Sequence, residues 1–265
     1  MKIIISHDVD HLNWAEHWCD TVIPKIILRS LYYVMSRQIS LNIFLKRINV
    51  FGKPLHNITN LITFDSENGI IPTFFWGMAR GVNLSYSVSS AQQIILSTNR
   101  RSVHHGVHGI ATTNIEKMKK EFDTMRSILN GDHIGIRMHY LRLRQQTLEH
   151  LAAIGYCFDS TVRGLINPYK IGSMWEFPLT LMDVDYLRQG KNDLAVLKKK
   201  SMDLIAAALD KNIKYFTINY HDVYFSERYP DHYHWYVWLV KTLKNNHFEF
   251  TTFSQATMEL ARENA

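Results

Sequence analysis

Four side chains that are capable of acid–base or metal chemistry lie close together near the start of the sequence: His7, Asp8, Asp10 and His11. They follow the apolar residues 3–5, a run typical of an interior strand of a parallel sheet. Alternate residues of a strand point to the same side, so Asp8 and Asp10 are predicted to project together, about 6 to 7 Å apart. Such a pair suits a metal ligand and a general base, although aspartates also occur at strand ends simply as turn formers.

Polar side chains recur at the predicted ends of other strands. The members of this set are His108, Arg137, His139, Asp159 and His221 with Asp222. The strands themselves are predicted at residues 70–79, 102–109, 133–142, 155–161, 175–181, 215–220 and 248–253. Helical stretches separate several of them, which favours a parallel sheet that is closed or nearly closed into a barrel. Because active sites of parallel barrels assemble at the C-terminal ends of the strands, the set indicates a metal-dependent active site.

Local signals mark the boundaries of two helices. Gly69 follows a helix that is predicted to end near Glu67, where glycine suits the C-terminal cap. Thr113 lies three residues before Glu116, the spacing of a capping box, and predicts the start of a charged helix over 114–129. A further helix is predicted over 145–154.

The composition predicts one domain spanning residues 1–265. The chain has 265 residues, of which 46% are apolar, enough to bury a full core. We expect a cytoplasmic protein, because no basic leader with an apolar segment precedes residue 8 and no run approaches the roughly 18 apolar residues of a membrane span. The two cysteines, Cys19 and Cys157, are expected to be reduced thiols. The net charge of +6 is modest and no nucleic-acid module is recognisable, so nucleic acid is not an expected partner.

The distribution of the charge is more informative than its sum. Between Thr21 and Phe64 there is no acidic residue, whereas basic residues lie among Ile, Leu, Tyr and Phe. These basic residues are Lys25, Arg29, Arg37, Lys46, Arg47 and Lys53. The segment predicts a basic, largely helical insertion at about 20–60. Either its apolar face packs on the core, or the segment attracts an anionic ligand or a membrane surface.

Five short motifs follow one another in a characteristic order. They are Ser-His-Asp-Val-Asp (6–10), Gly-Val-His-Gly (106–109), Gly-Ile-Arg-Met-His-Tyr (135–140), Gly-Tyr-Cys-Phe-Asp-Ser-Thr (155–161) and Ile-Asn-Tyr-His-Asp (218–222). Together they resemble the NodB-type polysaccharide deacetylases of carbohydrate esterase family 4, with the basic segment inserted after the first motif. The resemblance covers nearly the whole chain and implies an α/β fold, a distorted (β/α)7 barrel. Within the family, the chain resembles most the cytoplasmic members found among bacterial surface-polysaccharide and O-antigen biosynthesis proteins.

The resemblance also implies roles for particular residues. It assigns the catalytic base to Asp8, the metal-binding carboxylate to Asp10, the first metal-binding histidine to His108, the orienting arginine to Arg137 and the general acid to His221. The implied cofactor is a divalent metal ion that polarises an acetamide carbonyl and activates water, with zinc favoured and manganese, cobalt or nickel as alternatives. Asp222 or another carboxylate would hold the His221 imidazole in its useful tautomer.

One position departs from the pattern of the family. Thr112 stands where a second metal-binding histidine is expected. His104 has the i, i+4 spacing from His108, but on a strand this separation is about 13 Å, too far to share one ion. His139, at a neighbouring strand end, is therefore predicted to be the third metal ligand. The alternatives are His7, His11 and His105.

Two aromatic segments carry weaker signals. Trp175 and Glu176 fall where a fourth motif is expected, and Glu176 or Asp183 is a candidate for its carboxylate. Trp175 would either stack on a sugar or pack in the core. The histidine- and tyrosine-rich residues 232–236 are predicted to begin a partly buried helix.

The sequence thus predicts a metal-dependent hydrolase that removes an N-acetyl group, or an O-acetyl or formyl group, from a sugar intermediate of bacterial surface-polysaccharide (O-antigen) biosynthesis. The expected substrate is a sugar linked to a nucleotide or to a lipid, and peripheral membrane contact through the basic segment is a further expectation. The alternative is a degenerate, non-catalytic barrel that binds a glycan or a biosynthetic partner protein.

Overall fold

The computed structural model describes residues 1–17, 20–49, 53–98, 102–187 and 194–263. Within these ranges, helices surround a ten-stranded sheet. The strands are β1 (Lys2–Val9), β2 (Thr73–Trp76), β3 (His104–Gly109), β4 (Gly135–Met138), β5 (Phe158–Asp159), β6 (Tyr169–Ile171), β7 (Met174–Glu176), β8 (Leu179–Met182), β9 (Tyr215–Asn219) and β10 (Glu249–Thr251). The helices are α1 (Val22–Met35), α2 (Leu41–Ile48), α3 (Ile58–Glu67), α4 (Val88–Thr98), α5 (Ile115–Leu129), α6 (Thr147–Ile154), α7 (Val184–Leu187), α8 (Leu194–Asp210), α9 (Pro230–Asn245) and α10 (Phe253–Glu263).

Strand β1 lies inside the sheet and is hydrogen-bonded to three other strands. The spatial order is β6-β7-β5-β4-β3-β2-β1-β9-β8, and β10 pairs with the first half of β1. The pairings are parallel except for that of β6 with β7. A parallel bridge between Arg163 and Leu179 joins the segment after β5 to the start of β8, so the sheet curls into a distorted, incompletely closed barrel. The predicted α/β barrel is confirmed.

Several predicted strands are longer than the observed ones: 70–79 contains β2, 155–161 contains β5 and 248–253 contains β10. Two further predictions are wrong in a way that has a clear physical reason. The strand predicted over 175–181 is divided into β7, which pairs with β5, and β8, which pairs with β9. The division falls at Pro178, which has no backbone N–H to donate to a continuous ladder. The strand predicted over 133–142 ends at Met138. Tyr140 and Leu141 have left-handed φ values of 56° and 52°, which turn the chain out of the sheet.

The two predicted helix boundaries have different outcomes. Helix α3 ends at Glu67 and Gly69 follows with a φ of 77°, as the glycine signal predicts. The predicted cap at Thr113 is wrong, because α5 is capped by Asn114, whose side chain accepts a hydrogen bond from the Lys117 backbone N–H at 2.8 Å. Asparagine competes well with threonine for this position, since its carbonyl oxygen reaches the same orphan donor.

The alternation of side chains along β1 divides the core into two parts. Ile3 and Ile5 belong to the larger cluster between the sheet and the helices, whereas Ile4 belongs to a smaller aromatic cluster inside the barrel. In the smaller cluster the rings of Phe158 and Phe253 stack with their centroids 4.5 Å apart. Because side chains alternate, the residues two and four positions after Ile4 continue its inward face. Polar groups therefore line the barrel interior above an apolar floor.

Among the described residues, no helix is long and apolar enough to cross a membrane. Cys157 is a free, half-buried thiol whose pKa is raised by burial. Cys19 lies outside the described residues.

Gly135 allows β4 to pass directly beside Phe158, since a methyl group at this position would overlap the phenyl ring. We predict that Gly135→Ala lowers the free energy of unfolding by at least about 2 kcal/mol, within the range for overpacked cores. Urea denaturation measures this change. Gly131→Ala is the matched control, because its added methyl group would meet nothing closer than 3.9 Å. Equal effects of the two substitutions would contradict the packing argument.

Candidate metal and catalytic site

Five polar side chains from the ends of four strands line one cavity of about 770 Å³. They are Asp8, Asp10, His108, His139 and His221. Parallel pairing brings them together, because the C-terminal ends of neighbouring parallel strands share one edge of the sheet. The sixth predicted site residue, Arg137, is fully buried behind Asp8. Thr112, which replaces the expected second histidine, does not line this cavity.

Three potential metal-ligand atoms converge in this cavity. Asp10 Oδ1 lies 3.4 Å from His108 Nε2 and 3.4 Å from His139 Nδ1, and the two imidazole nitrogens are 2.9 Å apart. These separations are close to the edge of a tetrahedron around zinc, roughly 3.3 Å for bonds of about 2.0 to 2.1 Å. We call Asp10, His108 and His139 the metal triad.

The hydrogen bonds of the two histidines fix which ring nitrogens can bind a metal. His108 Nδ1 lies 3.0 Å from the Arg137 carbonyl oxygen, and His139 Nε2 lies 2.9 Å from the Val82 carbonyl oxygen. Because a carbonyl oxygen only accepts, these nitrogens donate, so the other nitrogen of each ring is the one that can offer a lone pair to a metal ion. Asp10 Oδ1 is buried with no hydrogen-bond partner among the described residues. A carboxylate oxygen and two imidazole nitrogens are a donor set that divalent metal ions bind, so the metal triad fits a divalent metal ion.

Asp8 is held beside the metal triad by two side chains. Its Oδ1 accepts a hydrogen bond from Arg137 at 3.0 Å, and its Oδ2 accepts one from Asn219 at 2.8 Å. Burial alone would favour the neutral acid, but the positive charge of Arg137, with a smaller contribution from His108, lowers the pKa of Asp8 below its usual value. Asp8 is therefore an ionised carboxylate whose Oδ2 lies 4.0 Å from His108 Nε2.

Arg137 is itself immobilised by its remaining donors. Its guanidinium donates to the carbonyl and hydroxyl oxygens of Ser160 and to the hydroxyl oxygen of Ser6, at 2.8 to 2.9 Å. The same group lies over the Phe75 ring, 4.6 Å from its centroid. Its bond to Asp8 is the contact that the predicted orienting role requires.

Asp183, and not Asp222, holds the imidazole of His221. Asp183 Oδ1 lies 2.8 Å from His221 Nδ1, and its Oδ2 accepts a hydrogen bond from the His221 backbone N–H at 2.6 Å. The sequence left open whether Asp222 or another carboxylate holds this imidazole, and the structure shows that it is the other carboxylate. Burial opposes the charged imidazolium, but the charges of Asp183 and, beyond it, Asp10 outweigh burial and raise the pKa of His221 to about 10. His221 Nε2 is left facing the cavity, 3.7 Å from Asp10 Oδ2.

Asp222 ties the cavity wall to the end of the basic segment. Its Oδ2 accepts a hydrogen bond from the Asn57 backbone N–H at 3.1 Å. Burial, together with the charge of Asp10, raises the pKa of Asp222 to about 8. Asp222 therefore contacts the backbone of the basic segment instead of the His221 imidazole.

The alternative histidine ligands are used elsewhere. His7 bonds to the Tyr220 carbonyl oxygen at 2.7 Å and to Asp65 at 2.8 Å. His105 accepts a hydrogen bond from the Trp76 indole at 3.1 Å. His11 does line the cavity, but its Nδ1 lies 3.1 Å from His17 Nε2. His104 opens strand β3, as the strand prediction requires, and is likewise outside the metal triad.

Of the fourth-motif candidates, Asp183 contacts His221 at the cavity, whereas Trp175 and Glu176 lie in the core. Trp175 is buried in the aromatic cluster inside the barrel, so the core interpretation of this residue is the one that the structure supports. Glu176 is buried beside Asp159, and burial with the Asp159 charge raises the pKa of Glu176 well above its usual value. Asp159 accepts hydrogen bonds from the backbone and hydroxyl groups of Thr161. Residues 232–236 belong to the start of α9, which is partly buried as predicted.

Sequence reasoning missed three residues of this site: Asn219, Ser6 and Ser160. Ser6 and Asn219 each precede a predicted site residue, Asp8 and His221, by two positions. On a strand that spacing places two side chains on the same face, so this signal was available. Ser160 offers no comparable signal, because its contact with Arg137 depends on how the loop after β5 folds.

One wall of the cavity is basic. Helix α1 contributes Lys25 and Arg29, which have no ion-pair partner among the described residues, and α2 contributes Arg47. The Arg47 guanidinium is buried over the Tyr229 ring, 4.7 Å from its centroid, and donates to the Arg228 carbonyl oxygen. Arg163 on the opposite wall pairs with Asp185. The basic side chains of the cavity wall that are both exposed and without an ion pair among the described residues therefore come from α1.

No protein-family model and no curated protein matches this chain, whereas solved structures do. A protein from Mycobacterium smegmatis assigned to the polysaccharide deacetylases superposes with a TM-score of 0.65 at 14% identity, covering 99% of this chain and 91% of that one. The Xyl-CE4 domain of a multidomain xylanase from the hindgut metagenome of Trinervitermes trinervoides superposes with a TM-score of 0.51 at 12% identity, covering 98% and 90%. The chain has the NodB-type fold of the polysaccharide deacetylases of carbohydrate esterase family 4, as its motifs predict.

If the metal triad binds a metal ion, the purified chain will take up about one zinc ion per chain, as three-ligand sites do. We predict that His139→Ala weakens zinc affinity by more than about 100-fold, beyond the range for loss of an outer partner. Competition with a chromophoric chelator measures the affinity, and elemental analysis measures the stoichiometry. His234→Ala, at an exposed histidine of α9, is the control. Unchanged affinity in His139→Ala would rule out this triad.

Proposed function

We propose that this chain is a metal-dependent hydrolase that removes an N-acetyl group, or a formyl or O-acetyl group, from a sugar intermediate of bacterial surface-polysaccharide assembly such as O-antigen biosynthesis. The proposal is carried by one arrangement, the metal triad with an ionised Asp8 and a carboxylate-held His221 next to it. A base, a metal site and an acid at one cavity are what amide hydrolysis requires. A surface that only binds a glycan has no use for all three.

Asp10, His108 and His139 would hold the metal ion, which supplies Lewis acidity toward the acyl carbonyl and lowers the pKa of water. Two imidazole nitrogens and one carboxylate oxygen at near-tetrahedral separations favour zinc. Manganese, cobalt and nickel are the alternatives, because the same donor types bind these ions.

The chain's own groups move the protons. Asp8 accepts a proton from the water that attacks the acyl carbon, and Arg137 with Asn219 keeps this carboxylate ionised and oriented. His221 donates a proton from Nε2 to the sugar nitrogen as the carbon–nitrogen bond breaks, while Asp183 fixes Nδ1. The products are a carboxylic acid, acetate for an acetyl group, and a free amino sugar.

The basic cavity wall supports a substrate with an anionic carrier group. Lys25 and Arg29 line the cavity without ion-pair partners among the described residues, so they are available to a phosphate. The carrier would be a nucleotide diphosphate or a lipid-linked phosphate. The proposal includes a location in the cytoplasm.

Activity is tested with the zinc-loaded chain on N-acetylhexosamines carried by uridine diphosphate and by polyprenyl diphosphate. We expect stoichiometric release of acetate and free amine. Asp8→Asn should lower kcat by about 100- to 10,000-fold, the contribution of a positioned base, and should retain zinc. Asp203→Asn, an exposed residue of α8, is the control. If the zinc-loaded wild type releases no acyl group from any carrier, the non-catalytic barrel is the correct interpretation.

The role of Asp183 is tested against its neighbour in space, Asp222. We predict that Asp183→Asn lowers kcat by about 100-fold with little change in KM, because the His221 ring loses its fixed orientation. Asp222→Asn should change kcat much less, since Asp222 bonds to the Asn57 backbone instead. Steady-state kinetics of both variants make the comparison. A larger kcat effect for Asp222→Asn would show that the carboxylate partner is assigned wrongly.

A further inference from the structure

Helix α1 carries an apolar stripe on its solvent side. Four large side chains at i, i+3, i+4 and i+7 are exposed: Leu28 (65%), Leu31 (44%), Tyr32 (62%) and Met35 (76%). This spacing places them on one face of the helix. A surface helix of a soluble protein normally has its apolar stripe toward the core, so this arrangement is reversed.

The opposite side of α1 faces the catalytic cavity. Val22 and Ser30 are buried, and Lys25, Arg29 and Tyr33 line the cavity. The helix is therefore a wall of the cavity, with charge on the inner side and apolar surface on the outer side.

Helix α2 extends the same exposed apolar surface. It packs against α1, and its Leu41 and Leu45, one turn apart, are exposed by 63% and 51%. We define the hairpin patch as Leu28, Leu31, Tyr32, Met35, Leu41 and Leu45. Contiguous exposed apolar surface of this kind marks an interaction site.

The basic segment that carries the hairpin patch contributes only positive charge of its own. No acidic residue occurs from Thr21 to Phe64. Lys46 pairs with Glu227 and Arg47 is buried. The remaining basic residues of this segment have no ion-pair partner among the described residues: Lys25 and Arg29 lie on the cavity side of α1, and Arg37 and Lys53 are exposed. Each basic residue near an anionic bilayer adds electrostatic attraction. Two copies of the chain would instead bring like charges together at this surface.

From these observations we propose that the hairpin patch inserts into the interfacial region of an anionic membrane and holds the catalytic cavity beside it. Apolar side chains flanked by basic ones are the composition of interfacial amphipathic helices. Because the inner side of α1 lines the cavity, a sugar carried on a lipid phosphate enters next to the bilayer. This identification of the carrier rests on the proposed function, whereas membrane binding does not.

Vesicle co-sedimentation of the full chain tests the proposal. We expect binding to phosphatidylcholine vesicles that contain phosphatidylglycerol, weaker binding without it, and weakening by salt. The triple variant Leu28→Ser, Tyr32→Ser and Met35→Ser should bind at least about tenfold more weakly, because it removes apolar area from the bilayer. The matched control is Leu96→Ser, Leu209→Ser and Met258→Ser, which are similarly exposed but lie on α4, α8 and α10. It should bind like the wild type.

Three results would overturn the proposal. They are wild-type-like binding of the triple variant, equal loss in the control, and a dimer in solution that the triple variant converts to a monomer. Asp8→Asn should bind vesicles normally. If the zinc-loaded wild type binds vesicles but releases no acyl group from any carrier, the proposed function is refuted and membrane docking stands. If the chain binds vesicles but deacylates only nucleotide-linked sugars, docking stands and the lipid carrier is wrong.

Discussion

The site depends on one buried positive charge, the guanidinium of Arg137. A charge in a barrel interior is costly unless it is paired and all its donors are bonded. Here β1 supplies Asp8 and the Ser6 hydroxyl, the residue after β5 supplies two oxygens, and β2 supplies the face of Phe75. Loss of any of these groups would leave part of the guanidinium unpaired. The register of these strands and the position of the Asp8 carboxylate are therefore consequences of the same electrostatic requirement.

The histidines of the metal triad are positioned by backbone groups, and some of that backbone is strained. His139 donates to the Val82 carbonyl oxygen, and Val82 has a φ of 53°, unusual for a β-branched residue. Tyr140, which follows His139, has a φ of 56°. Such conformations cost about 1 to 3 kcal/mol each and persist only where the surrounding structure enforces them. The strained backbone at Val82 and Tyr140 therefore lowers the stability of the fold while it directs two imidazoles toward one point.

The sequence was most informative where local patterns decide the structure. Strand ends are visible in apolar runs, so the convergence of Asp10, His108 and His139 could be expected even though the usual second histidine is absent. The sequence alone could not identify the carboxylate that holds His221. Asp183 directly follows β8 and contacts His221 because β8 pairs with β9, and no local pattern encodes that pairing. Asn219 could have been found from strand periodicity. The division of residues 175–181 into two strands depends on which distant neighbours each half pairs with.

Strand β1 carries the proposed base, and Asp10 of the metal triad directly follows it. This strand is completed by partners that are distant in sequence. Lys2 pairs with both Tyr215 and Glu249, so β9 and β10 must both be present before the first half of β1 has its ladder. Such non-local pairing slows folding, because the loop that it closes must be ordered first. During synthesis on a ribosome, β1 therefore cannot complete its pairing until β10 has been made. The candidate site forms only after β9 and β10 have been synthesised, and a fragment that ends before β9 cannot complete the ladder of β1 even though it contains every residue of the metal triad.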